Sequence, residues 1–202
     1  MDMGLCSFDL ETEKIVSIND LENYPEELLS GSTRKIASME NGSLWLIHGN
    51  RDYLIQDAPE GFHVSPANED LNLGSQSWSG NVYEDQQGNL LMGRGDGLYV
   101  LDLKDESRKL KLVSDLAGIT SLCMKGNRVF MGNSEGIYMY EFLNPGYEEF
   151  RSCKISDIVP QCIEIDQNGS LFVGTAKGLR IFQRSGDESS YEQCSLDQLQ
   201  SG

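Results

Sequence analysis

"QGNLLMGRGDGLYVLDL", residues 87–103, contains two short apolar runs separated by a glycine-rich polar segment. Its centre, Arg94-Gly95-Asp96, is the tripeptide that integrins bind, and three glycines at alternate positions also suggest a phosphate-holding loop. A phosphate loop needs its glycines to open a helix, whereas here a run rich in Leu, Val and Tyr follows. The stretch therefore favours a tight turn between two strands over an adhesion motif or a nucleotide site.

The same plan occurs four times along the chain. Each copy joins a polar turn, a short apolar run, a glycine, three polar residues and a second apolar run, at 41–56, 87–103, 125–142 and 168–183. The central glycines, spaced by 44, 39 and 42 residues, are Gly49, Gly93, Gly132 and Gly174. The glycines that end the polar segments are expected to have positive φ; they are Gly97, Gly136 and Gly178. A strand-rich repeat of about 40–45 residues is typical of a propeller blade.

The predicted fold is all-β, a β-propeller built from four-stranded antiparallel blades. The second copy shows the four strands, at 81–85, 89–93, 97–103 and 109–115. We expect one partial propeller domain over residues 1–202, with a half-blade and four blades at 1–20, 33–70, 78–115, 119–157 and 160–195. The chain is then a piece of a larger propeller, or a small closed ring if residues 196–202 complete it. One short helical turn is expected in "LENYPEELLS", residues 21–30.

The composition excludes several function classes. The chain has 202 residues, 16 basic and 32 acidic, and a formal net charge of −16. Nucleic acids and anionic membranes both require a basic face, so neither is an expected partner. The sequence has no apolar run long enough to span a membrane and no signal peptide at its start, which predicts a cytoplasmic location for the chain expressed alone. Its five cysteines form no metal-binding or disulfide pattern.

Catalytic chemistry has little support in the sequence. His48 and His63 have no repeated Ser or Cys partner, which favours structural or exposed roles for both. Asp85 and Asp166 occupy matched places before a glycine turn, so they are expected to cap turns rather than to act as an acid–base pair. We predict no catalytic residue, no cofactor and no metal site, and therefore no enzymatic activity.

Two stretches, "VYEDQQGNLLMGRGDGLYVLDL" (82–103) and "IEIDQNGSLFVGTAKGLRIF" (163–182), resemble the two-component regulator propeller repeat. Trp45 and the pair Gly174-Thr175 match its motif, while Arg94 and Asn133 depart from it by replacing the Thr. This resemblance implies the periplasmic sensor region of a hybrid two-component histidine kinase that perceives glycan fragments. The chain contains no kinase or receiver domain, so the resemblance implies only the sensing part.

Antiparallel topology predicts where a ligand would bind. The turns between strands two and three emerge on one face, which suits an oligosaccharide or another small polar ligand. Trp78 would stack against a sugar ring there, and the other candidate residues are Arg51, Asp52, Arg94, Asp96, Asn133, Glu135, Thr175 and Lys177. An alternative is a non-catalytic scaffold for protein partners, and a third is a propeller lyase or lactonase. Open blade ends would also favour self-association.

Overall fold

Strands and tight turns account for nearly all of the chain that can be described. The computed structural model describes residues 5–17, 26–29, 32–49, 51–58, 61–67, 79–104, 110–185 and 190–194. The chain divides into two compact units, Met1–Ser79 with Lys104–Lys109, and Gly80–Leu103 with Leu110–Gly202. The predicted all-β class is confirmed.

The first unit contains a hairpin and one four-stranded sheet. The hairpin pairs β1 (Cys6–Asp9) with β2 (Lys14–Ser17), and a 3-10 turn at Glu26–Leu29 follows where a short helical turn was expected. The first sheet is antiparallel in chain order, with strands β3 (Thr33–Ser38), β4 (Leu44–His48), β5 (Arg51–Ala58) and β6 (Gly61–Pro66). Its core is an apolar cluster of Leu28, Leu46, Tyr53, Ile55 and Val64.

The second unit contains three more sheets of the same kind. The second sheet is β7 (Ser79–Glu84), β8 (Asn89–Arg94), β9 (Leu98–Asp102) and β10 (Leu110–Ser114). The third is β11 (Ser121–Lys125), β12 (Arg128–Asn133), β13 (Gly136–Phe142) and β14 (Phe150–Ser156). The fourth is β15 (Cys162–Ile165), β16 (Leu171–Thr175), β17 (Gly178–Arg184) and β18 (Tyr191–Cys194). Neighbours in sequence pair in every sheet, as in a propeller blade.

Burial within the second unit explains why the second strand of each sheet is a largely continuous apolar run in the sequence. All six residues of β8 are buried, whereas only one of the five residues of the outer strand β10 is buried. One apolar cluster joins the second and third sheets through residues such as Leu91, Leu98 and Met131. Another joins the third and fourth sheets through Phe130 and Val173. A strand covered on both faces has no polar side to alternate with, so it loses the usual period of two.

The central glycines of the repeat allow the next sheet to approach closely. A Cβ at Gly93 would overlap the side chain of Ile119, which directly precedes the third sheet. A Cβ at Gly132 would overlap Pro160, which directly precedes the fourth sheet. Neither glycine has a positive φ. These two positions therefore need glycine for space between neighbouring sheets and not for backbone conformation.

The glycines after the polar turns fulfil the predicted role at two of three positions. Gly136 has a φ of 141° and Gly178 a φ of 100°, so the prediction of positive φ is confirmed there. It is wrong for Gly97, whose φ lies outside the left-handed region. At Gly97 a Cβ would instead overlap the backbone oxygen of Ser114, because the pairing of β9 with β10 shifts register beside Ser114. Glycine is required there by close backbone approach.

Candidate functional site

In each sheet of the second unit, a turn joins the second strand to the third, and exposed polar side chains lie on these turns. We call this the turn side, defined by residues 94–97, 133–136 and 175–178. Asp96, Glu135 and Lys177 are exposed there, one on each turn. The Tyr99 hydroxyl donates a hydrogen bond to Asp96 Oδ2 at 2.8 Å, and the Tyr138 hydroxyl donates one to Glu135 Oε2 at 3.3 Å. Two successive turns therefore carry the same acid–tyrosine pair.

Each tyrosine of these pairs also has a cation over its ring. The Arg94 guanidinium carbon lies 5.2 Å from the centroid of Tyr99, and Lys154 Nζ lies 5.5 Å from the centroid of Tyr138. The hydrogen bond to Asp96, together with burial, raises the pKa of Tyr99. Neither tyrosine was predicted as a site residue, although both stand three positions after an acidic residue of the turn. That spacing, repeated in two copies, was the available signal.

Two predicted ligand residues, Asn133 and Thr175, use their side chains in hydrogen bonds to backbone groups. Asn133 is buried; its Oδ1 accepts hydrogen bonds from the amides of Glu135 and Gly136, and its Nδ2 donates to Ala117 O at 3.1 Å. Thr175 Oγ1 donates to Gly178 O at 2.7 Å and accepts from the Lys177 amide. These side chains close the turns in the way that Asx and ST motifs do.

Three other predicted ligand residues, Arg51, Asp52 and Arg94, lie on strands rather than in turns. Arg94 is 4% exposed and is the last residue of β8. Arg51 and Asp52, expected in a turn, are the first two residues of β5, with Arg51 exposed and Asp52 buried. These two belong to the first unit, whereas the acid–tyrosine pairs belong to the second. Trp78 lies outside the described residues.

A cavity of about 330 Å³ lies on the opposite side of the second unit, which we call the loop side. The loop side comprises the strand one-to-two turns, at 85–88, 126–127 and 166–169, and the β13–β14 loop, at 143–149. The cavity is formed between the second and third sheets, and its walls include Tyr83, Asp85, Gln86, Asn127, Asn144 and Tyr147. A volume of this size is at the lower end of the range for small-molecule sites. Nothing in the repeated motif predicts this cavity.

Asp85 is a buried residue in the lining of that cavity. Its Oδ1 accepts hydrogen bonds from the amides of Gln87 and Asn89, each at 2.8 Å. Its Oδ2 accepts from Asn89 Nδ2 at 2.8 Å and from the Tyr147 hydroxyl. Burial acts to raise the pKa of Asp85, but these hydrogen bonds outweigh it and hold the pKa below its ordinary value. Burial and the same hydrogen bond raise the pKa of Tyr147.

The β13–β14 loop ties the third sheet to the second at two points. The Tyr147 hydroxyl donates to Asp85, and Lys111 Nζ donates to Gly146 O at 3.0 Å and to Glu148 Oε1 at 3.2 Å. Tyr147 has a φ of 57°, which is an unusual backbone conformation for a tyrosine. The ring of Tyr147 also packs edge-on against Phe142 at a centroid distance of 4.6 Å. The loop therefore gives the cavity a fixed wall.

The expected turn-capping role of Asp85 and Asp166 is confirmed. Asp166 Oδ1 accepts from the amides of Asn168 and Ser170, in the same pattern that Asp85 shows. His48 is buried, with Nδ1 3.1 Å from Thr33 Oγ1, and His63 is exposed on β6. Within the described residues, no three His, Cys, Asp or Glu side chains are placed to hold a metal ion. No helix in this part of the chain is long and apolar enough to cross a membrane.

Comparison with known proteins identifies the fold. No protein-family model matches the sequence, and no curated protein sequence matches it. Among solved structures, the extracellular domain of BT4673 from B. thetaiotaomicron, assigned to a hybrid two-component system, matches 91% of this chain at 18% identity with a TM-score of 0.65. The corresponding domain of BT3049 from the same organism matches 93% at 20% identity with a TM-score of 0.59. The fold is that of these extracellular domains.

The match agrees with the propeller-repeat resemblance noted in the sequence. The chain spans about a quarter of the length of these extracellular domains, 25% of BT4673 and 26% of BT3049. A luciferin-regenerating enzyme also shares the fold, with 94% of this chain covered, 13% identity and a TM-score of 0.59. Proteins with this fold thus include extracellular domains of signalling systems as well as an enzyme. The fold alone therefore does not assign the activity.

Proposed function

We propose that this chain is part of the ligand-sensing propeller of a bacterial two-component sensor, located outside the cytoplasmic membrane, and that it recognises a glycan fragment on the turn side. The likeness to extracellular domains of hybrid two-component systems supports the sensing role. Four four-stranded sheets and a hairpin support a partial propeller of four blades and a half-blade.

The observation that carries the glycan assignment is the repeated acid–tyrosine pair. Sugars bind by packing an apolar ring face on an aromatic ring and by donating hydroxyl hydrogen bonds to carboxylates. Tyr99 with Asp96, and Tyr138 with Glu135, supply both contacts on neighbouring turns. Lys177 would add a hydrogen-bond donor on the next turn of the same unit.

A non-catalytic role is part of the proposal. His48 Nδ1 lies 3.1 Å from Thr33 Oγ1, and Asp85 and Asp166 accept hydrogen bonds from backbone amides of their own turns. A metal-dependent lyase or lactonase of this fold would require a metal cluster, and among the described residues no three His, Cys, Asp or Glu side chains are placed to hold a metal ion.

The glycan assignment predicts a specific loss of binding on the turn side. Calorimetry with oligosaccharides selected on a glycan array should give dissociation constants in the micromolar-to-millimolar range for the wild-type chain. The double substitution Asp96→Ala and Glu135→Ala should weaken binding about tenfold, because each removes a hydroxyl acceptor. Gln167→Ala, on the loop side of the fourth sheet, is the control and should bind like wild type. Unchanged affinity in the double variant would place the glycan site elsewhere.

A protein-binding role is the second candidate, and the hairpin of the first unit favours it. Phe8 on β1 is directly opposite Ile15 on β2, and these side chains are 55% and 61% exposed. Leu10, in the connecting turn, is 85% exposed. Three exposed apolar side chains on one short hairpin form a surface that favours association with a second copy of the chain.

This second role predicts self-association that depends on the hairpin. Light scattering after size-exclusion chromatography should show a dimer or larger species whose fraction rises with protein concentration. The double substitution Phe8→Ser and Ile15→Ser should return the chain to a monomer. Leu112→Ser, which alters an exposed leucine of β10 in the second unit, is the matched control and should leave association unchanged. A monomer in the wild type at all concentrations would contradict the role.

A further inference from the structure

The cavity on the loop side has a single charged side chain in its lining. The residues that form it include one carboxylate, Asp85, and no lysine or arginine. All the acceptor positions of that carboxylate are engaged, by two backbone amides, one side-chain amide and the Tyr147 hydroxyl. Asp85 therefore stabilises the wall and has no acceptor position left for a cation, while its negative charge disfavours an anion.

Polar groups at the cavity are available for hydrogen bonds with a ligand. The Tyr83 hydroxyl has no hydrogen-bond partner among the described residues, although Tyr83 is half-buried and burial raises its pKa. Gln86 adds an exposed side-chain amide at the mouth. Asn127 uses its Nδ2 to reach Phe142 O, which leaves its Oδ1 as an acceptor. A hydroxyl and carboxamides together can both donate to and accept from a neutral polar molecule.

Apolar surface lies next to these polar groups. Leu143 is 51% exposed, and it lines the cavity together with Phe142, Pro145 and Met124. The loop that carries Leu143 is held by its own hydrogen bonds, from the Glu148 amide to Asn144 Oδ1 and from the Leu143 amide to Glu149 O. The cavity is thus formed before a ligand arrives, which reduces the entropy lost on binding.

We propose that this cavity is a second binding site, distinct from the turn side, for an uncharged small molecule that combines several hydroxyl groups with an apolar ring face, such as a hexose. The site lies wholly within the second unit and is independent of the glycan assignment on the turn side. It discriminates by charge: a neutral hexose binds, and the corresponding uronate is rejected.

The test uses the full chain and a defined set of probes. Saturation-transfer NMR and calorimetry are carried out with glucose, galactose and mannose, and with glucuronate and galacturonate as anionic counterparts. At least one neutral hexose should bind with a dissociation constant on the order of 1 mM, and its uronate should bind at least about tenfold more weakly. Absence of saturable binding by all three hexoses below about 50 mM, or equal binding of hexose and uronate, would overturn the proposal.

Variants then locate the binding. Gln86→Trp fills the mouth of the cavity and should abolish hexose binding. The matched control is Gln167→Trp, which places the same side chain at the equivalent turn position of the fourth sheet, outside the cavity; it should bind like wild type. Tyr83→Phe removes only a hydroxyl and should weaken binding several-fold at unchanged thermal stability. Retained binding in Gln86→Trp would refute the site, whereas loss of binding only in Asp96→Ala with Glu135→Ala would assign the hexose to the turn side.

Discussion

Replacing Gly136 with alanine is expected to destabilise the chain by about 2–5 kcal/mol, more than the same change at either matched glycine. Two costs add at this position. The φ of 141° is strained for any residue with a Cβ, and that Cβ would overlap the backbone oxygen of Ser156. The oxygen belongs to β14 at the point where its pairing with β13 shifts register, so it has little freedom to move.

Gly178 and Gly97 each have only one of these two costs, so substitutions there measure the costs separately. Gly178 has a φ of 100° with open space where a Cβ would lie, so Gly178→Ala should cost only the conformational strain, about 1–2 kcal/mol. Gly97 lacks the positive φ but has the close approach of Ser114 O, so Gly97→Ala should cost about 1–3 kcal/mol of overpacking. Urea unfolding of the three variants measures how much free energy of unfolding each one loses. An equal loss at all three positions would show that the Ser156 contact does not matter.

Removing the carboxylate of Asp85 should have the next largest effect, about 3–4 kcal/mol for Asp85→Ala. Four hydrogen bonds end on this side chain, which is 4% exposed. The substitution would leave the amide of Asn89 and the hydroxyl of Tyr147 without their buried acceptor, and unsatisfied buried donors account for most of the loss. The Tyr147 bond also links the second and third sheets, so the cavity wall should loosen as well.

Asp166→Ala is the matched control for this change. Asp166 caps the equivalent turn of the fourth sheet through two backbone amides, and it is half-buried. Its removal should cost about 1 kcal/mol, as for a turn cap that water can replace. Thermal and urea unfolding of both variants gives the comparison. Similar losses in the two variants would show that the Tyr147 and Asn89 contacts to Asp85 contribute little.

The contribution of Asp85 to the stability of the folded state should also depend on pH. Its folded-state pKa is held below the ordinary value of 3.8, so its charge stabilises the folded state. That contribution is fully present above the unfolded value and is lost as the pH falls through the folded pKa. The stability difference between wild type and Asp85→Ala should therefore be constant from neutral pH down to about pH 5 and narrow in more acidic solution. A difference that widens on acidification would contradict the assignment.

Features set by local sequence were predictable from the repeat. The strands of the second sheet fall where the alternation of apolar runs and polar turns places them, and the turn-capping role of Asp85 and Asp166 follows from their position before a glycine turn. Positive φ at Gly136 and Gly178 follows from the same local chemistry. In each case, residues within one turn determine the conformation.

Features set by contacts between distant residues were not predictable. The need for glycine at position 97 comes from a carbonyl of β10, and a register shift that brings it close has no marker in the sequence. Arg94 and Asn133 were expected to face a ligand because they occupy turn positions, yet both are buried. The cavity depends on Tyr147 of the third sheet reaching Asp85 of the second, and the loop that carries Tyr147 has no counterpart in the repeated motif.

The close approach at Gly132 also determines where this chain can be cut. The third sheet ends at Ser156, but Pro160, beyond the last strand of that sheet, lies against Gly132 together with Ser121 and Ile163. A truncation placed at Ser156 would remove Pro160 and expose the backbone at Gly132, the next-to-last residue of β12. A boundary after Pro160 would retain this contact. For recombinant expression or for transfer into another scaffold, a segment that contains the third sheet should therefore extend at least to Pro160.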